Sequence, residues 1–177
     1  MIQKILMLSF LFLSLPIFSS PNEDLIKNIV LNDLGGVRRA VKAGADPNIK
    51  IRDLTPLMIA SGKGNLEIVN VLLESNADPK ISGDNGKTAL SIALRRNHLK
   101  VAEALLAKGA DINVKDEKGV TALMWAVYEG RTETVKFIID NKADVNAANN
   151  SDKSALRYAK ERNFKEIVKM LQDAGAE

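Results

Sequence analysis

The chain has 177 residues, 46% of them hydrophobic but only 5% aromatic, which points to a thin core of Ala, Leu, Ile and Val. Its 25 basic and 22 acidic residues give a net charge of only +3, interspersed along the chain, whereas a nucleic-acid binder carries a concentrated basic stripe. The absence of cysteine excludes disulfides, thiol catalysis, Cys-ligated metals and an N-terminal lipoprotein anchor.

Residues 1–20 differ from the rest. Lys4 gives a positive start, Ile5 to Phe18 are almost wholly apolar, and Ser19 and Ser20 precede Pro21. That is the order of a secretory signal peptide, and the apolar run is shorter than the roughly 20 residues a membrane-spanning helix needs. The expectation is an exported protein, periplasmic or secreted, cut after Ser19 or Ser20. A membrane is involved only if the segment stays as an uncleaved anchor.

One domain is predicted over residues 21–177. Its first unit, about 21–49, has Leu25, Ile26, Ile29 and Val30 on one short helix and Val37 to Lys42 on the next. From there the chain is periodic. Thr55-Pro56-Leu57-Met58-Ile59-Ala60 recurs as Thr88-Ala89-Leu90-Ser91-Ile92-Ala93, Thr121-Ala122-Leu123-Met124-Trp125-Ala126 and Ser154-Ala155-Leu156-Arg157-Tyr158-Ala159, each 33 residues after the last. These mark units of about 50–82, 83–115, 116–148 and 149–177. A second marker, Gly44-Ala45-Asp46, recurs at Asn76, Gly109, Lys142 and Gly175, spaced 32 once and 33 thereafter.

Each unit reads as two helices. The leading Thr or Ser is a good N-cap because its hydroxyl accepts a bond from an orphan backbone N–H, and Pro56 suits the first helical position. Turns between helices are expected at Asn32, Gly64, Asn97, Gly130 and Asn163, the residue types that enter the left-handed region most readily. Second helices should end near Gly44, Asn76, Gly109, Lys142 and Gly175, with Lys142 costing some strain. Two apolar columns, Leu72, Leu105, Ile138, Leu171 and Val69, Ala102, Val135, Val168, lie three residues apart and share a helical face that only a neighbouring unit can cover. Two others turn polar at the end: Val41, Leu73, Leu106 and Ile139 give way to Gln172, and Ser61, Leu94 and Val127 to Lys160. That is the mark of a terminal cap.

At these residues the sequence resembles the ankyrin repeat family, whose period and Thr-Pro-Leu-x-x-Ala core it shares. The resemblance covers residues from about 22 to 177. It implies an all-α solenoid of five helix-turn-helix repeats joined by hairpin-like loops. It also implies a non-catalytic module that binds a protein partner and needs no cofactor or metal. A monomer is expected.

The signals that could carry chemistry have structural readings. Gly86-Lys87-Thr88 resembles the end of a phosphate loop, but residue 81 is Ile where that loop needs glycine; hairpin tip, exposed lysine and N-cap explain all three residues. His98 is the only histidine and has no ligand cluster or nucleophile partner. Asp46, Asp78, Asp111 and Asp144 recur once per unit and can accept backbone N–H bonds in the turn. Trp125 and Tyr158 share the apolar column of Ile59 and Ile92 and are expected in the core.

Repeat stacks bind along a concave face, which the resemblance assigns to hairpin tips and the exposed side of each first helix. The candidates are Arg52, Met58, Lys63, Lys87, Arg95, Arg96, Lys118, Met124, Tyr128, Glu129, Arg157 and Arg162. Met124, Tyr128, Arg95 and Arg96 form the expected hot spot, since Tyr and Arg are enriched in hot spots and Met adapts its shape. The expected function is an adaptor or scaffold acting after export. The alternatives are an accessory that supports or protects a periplasmic enzyme, and a secreted factor that binds host proteins. Nucleic acid is disfavoured because charges alternate at the tips, as in Arg52/Asp53, Asp84/Lys87 and Asp152/Lys153.

Overall fold

The computed structural model describes residues 20–177. Among the described residues ten helices form five antiparallel pairs: α1 (Pro21–Leu31) with α2 (Leu34–Lys42), α3 (Pro56–Lys63) with α4 (Leu66–Glu74), α5 (Ala89–Arg95) with α6 (Leu99–Ala107), α7 (Ala122–Tyr128) with α8 (Thr132–Asp140), and α9 (Ala155–Glu161) with α10 (Lys165–Asp173). Each pair packs on the next through its first helix, and second helices pack on each other at α2/α4, α4/α6 and α8/α10, as in a solenoid. Among the described residues there is no strand, and no helix is long and apolar enough to cross a membrane. Of the predicted signal segment only Ser20 lies within the described residues.

Local chemistry sets the helix ends. Thr55, Thr88, Thr121 and Ser154 each accept a bond from the backbone N–H three residues on, at 3.2–3.3 Å. Ser20 caps α1 in a reciprocal arrangement with Glu23. Asp33 and Asn65 cap α2 and α4, whereas His98, Arg131 and Phe164 stand at the starts of α6, α8 and α10 without a side-chain cap. All five predicted turn residues and all five helix-end residues have positive φ. Lys142 among them, at φ 63°, bears a left-handed strain of about 1 kcal/mol that glycine would not.

The core runs as a thin layer between the two rows of helices. Leu72, Leu105, Ile138 and Leu171 are fully buried, as are Val69, Ala102 and Val135. In the last repeat the outer face is exposed at Lys160 and Gln172, as their polarity predicts. Gly86 lies at a hairpin tip with φ 69°, and Thr88 is the cap of α5.

The four loops (43–55, 75–88, 108–121 and 141–154) explain the single 32-residue spacing. The first loop is one residue shorter and closes as a tight hairpin, Ile51 and Leu54 exchanging both backbone bonds. Arg52 and Asp53 at its tip are both left-handed, at φ 47° and 64°. The other three tips place Gly86, Gly119 and Asp152 in that region. In every loop the recurring Asp accepts the N–H two residues on, at 2.8–2.9 Å.

Side chains stitch most neighbouring loops together. Asn48 donates to Asn76 O at 3.0 Å and accepts from Asp78 N at 2.8 Å, and Lys50 Nζ donates to Ser82 O at 2.9 Å. Asn113 accepts from Asp144 N, Lys115 Nζ donates to Ala148 O, and Asn146 holds the C-terminal Gly175 and Glu177. In the second loop the Asn position is Lys80, which has no acceptor, and the Lys position is Ser82, which is too short. Among the described residues no hydrogen bond joins loop 75–88 to loop 108–121, or α3/α4 to α5/α6. Packing without hydrogen bonds holds that junction, with the His98 ring against Gly64 and the Gly86 tip against the backbone of Lys115 and Asp116.

Candidate functional site: a two-part concave groove

The groove floor arises from one helical position. Met58 and Met124, two of the expected contact residues, are buried at 1% exposure. Each sits three residues after its N-cap, turned down between neighbouring first helices. They close the floor of the groove, but a partner could remove almost no further area from water there. The next residue along faces the groove instead: Ile59, Ile92, Trp125 and Tyr158 are all half-buried. Trp125 and Tyr158 therefore do not belong to the closed core. Their bulk beside Ile59 and Ile92 was the available signal, because a packed column tolerates volume-conserving replacements best.

The first part of the groove is a cleft of about 550 Å³ between α3 and α5. Val30, Leu54, Ile59 and Ile92 give it an aliphatic lining, with Val30 54% and Leu54 40% exposed. Lys63, Lys87, Arg95 and Arg96 surround it, and Glu129 is its one carboxylate. Glu129 is held by Arg131 at 2.6 Å. Among the described residues, none of those four cations lies within ion-pair distance of a carboxylate.

The second part, about 450 Å³ between α7 and α9, is aromatic. Trp125, Tyr128 and Tyr158 stand in sequence, each ring nearly perpendicular to the next, with centroids 6.1 and 6.0 Å apart. Such edge-to-face pairs are the favoured arrangement of the ring quadrupoles. Each ring also carries a cation of the chain itself: Arg95 over Trp125 at 4.4 Å, Arg162 over Tyr128 at 4.3 Å and Lys153 over Tyr158 at 5.4 Å. Asn149 donates to the Tyr158 hydroxyl at 2.9 Å. Glu117 and Lys118 stand at the hairpin rim, where a smaller cleft lined by Lys87, Arg95 and Trp125 joins the two parts.

The structure thus gathers Lys63, Lys87, Arg95, Arg96 and Glu129 around one cleft and Lys118 and Tyr128, with Arg162 stacked on it, around the other. Arg52 and Arg157 line neither. Arg52 stands exposed at the tip of the short hairpin, and Arg157 is tied to Glu161.

Two carboxylates have shifted acidity. Glu161 is held below the ordinary glutamate range, first by the hydrogen bond from Lys153 and also by Arg157. Asp53 is raised above the ordinary aspartate range, first by its hydrogen bond with Asp84 on the neighbouring hairpin, and further by desolvation and by the Asp84 charge. Among the described residues, no group of three metal-ligating side chains is assembled. His98 packs against Gly64.

No curated protein sequence matches the chain. The family model for ankyrin repeats (3 copies) matches residues 25–116 and 112–177, nearly the whole described region. Period, capped helix pairs and stacked loops agree with that match, and the chain belongs to the ankyrin repeat family, whose members are generally protein–protein interaction modules.

Proposed function

We propose that this chain acts after export as a non-catalytic adaptor that binds a partner protein in the concave groove. The observation that carries this reading is a row of three adjoining clefts with an aliphatic and aromatic lining and, among the described residues, four cations unpaired with any carboxylate. Apolar lining gives affinity through area removed from water, and unpaired rim charge gives orientation and rate.

The test is capture from the native exported fraction with wild type and with an Arg96→Glu, Tyr128→Ala variant. Both side chains are exposed, so the variant should keep its fold, checked by circular dichroism. A protein retained by wild type and lost by the variant supports the adaptor reading. Equal retention by both moves binding off the groove.

Cleavage of the signal after Ser19 is supported by the cap of α1. That cut leaves Ser20 in place to accept from Glu23 N at 3.2 Å. A cut after Ser20 removes the cap, which costs about 1 kcal/mol, and leaves a positive amine on Pro21 at a helix N-terminus. The intact mass of the exported protein distinguishes the two, by one serine.

A further inference from the structure

Resting on the adaptor reading, we infer that the partner presents one extended segment with carboxylates over the α3/α5 cleft and an apolar side chain, aromatic by preference, in the α7/α9 cleft. Charge complementarity carries the first half. Lys63, Lys87, Arg95 and Arg96 face a cleft whose single carboxylate, Glu129, is already engaged by Arg131. An incoming Asp or Glu meets cations that give up no internal ion pair to bind it.

The second half follows from what the aromatic cleft already holds. Three orthogonal rings would suit a ligand cation, but Arg95, Arg162 and Lys153 already lie over them. A fourth cation would enter a field set by these three. An apolar or aromatic side chain meets no such opposition and can pack beside Tyr128, a residue that is 44% exposed, adding to the edge-to-face series. The two clefts are centred about two helix-pair steps apart, roughly 20 Å at 8–10 Å per packed helix. An extended chain covers that in about six residues. The smaller cleft between them, lined by both Lys118 and Lys87 and by Asp116 and Glu117, gives the joining stretch a rim of mixed charge to follow.

The test selects random dodecapeptides by display on the purified protein, expressed from its full coding length. The enriched sequences are then synthesised and titrated by fluorescence anisotropy at low and high salt. Acidic peptides with an aliphatic or aromatic residue several positions away are expected. Their affinity should fall about tenfold or more in Lys63→Glu, Arg96→Glu and weaken with salt. It should fall in Tyr128→Ser with the salt dependence unchanged.

Neutral or basic peptides, or acidic ones indifferent to Lys63→Glu, Arg96→Glu, overturn the inference but leave the adaptor reading standing. So does the absence of any enriched peptide, since capture from the exported fraction decides that reading separately. Tighter binding of oligothymidylate than of every selected peptide overturns both.

Discussion

The two halves of the groove share one scaffold and one period yet differ in how far they satisfy themselves. Around α7 and α9 several exposed groups of the helices already have partners within the chain. Arg162 and Lys153 cover aromatic rings, and Glu161 collects both Lys153 and Arg157. Around α3 and α5 the cations have no acidic partner and the apolar side chains are open to water. The difference separates two uses of a surface. Internally satisfied groups fix a shape before a ligand arrives, whereas unsatisfied ones leave their interaction energy for the ligand.

The largest expected effect sharpens this comparison along a single column. Trp125→Ala should lower stability in urea by about 2–3 kcal/mol, and Ile92→Ala, at the same position one repeat earlier, by about 1–2 kcal/mol. Equal losses would mean that the aromatic half is no better ordered than the aliphatic one.

The loop layer offers the next test. Asn113→Ala removes the bond from Asp144 N in the stitched C-terminal half and should cost about 1 kcal/mol. Lys80→Asn with Ser82→Lys builds the missing stitches between loops 75–88 and 108–121, and should add about 1–2 kcal/mol. No gain would show that the junction is already at its optimum.

Lys142→Gly should raise stability by about 0.5–1 kcal/mol, since it relieves φ 63° at the one helix end occupied by neither glycine nor asparagine. Thermal unfolding reads this directly.

The smallest effect is electrostatic. Glu161 has a depressed pKa, so its contribution is present above the ordinary glutamate range and lost as pH falls through its folded value. The melting difference between wild type and Glu161→Gln should therefore close in acid. Asp53 runs the other way: its contribution is full at low pH and fades as pH rises through a value above the ordinary aspartate range. Asp53→Asn should remove that fade. Both groups are at the surface, so salt should shrink both effects.

Much of the scaffold was legible in the sequence because its requirements are local. A hydroxyl at Thr55 or Thr88 caps whatever helix follows, and Asn32 or Gly64 allows a left-handed turn in any surroundings. The groove was less legible. A period of 33 shows which residues are equivalent, but not which way they face. Met58 and Ile59 are adjacent and both apolar, so only the rotation of α3 against its neighbours decides which one reaches the groove. The exchange of Met124 for Trp125 comes from that rotation. Lys80 and Ser82 stood in plain view as departures from Asn and Lys, yet only the loop-to-loop geometry shows what they fail to reach.

The unstitched junction between α3/α4 and α5/α6 has a mechanical consequence. A stack drawn from its two ends meets no hydrogen bond between loops or helix pairs beneath the α3/α5 cleft, where packing alone resists parting. A segment lying in the cleft would touch both sides of the break, as a splint does. Binding there would join two rigid blocks into one longer spring, so that occupancy is felt as stiffness well beyond the residues in contact.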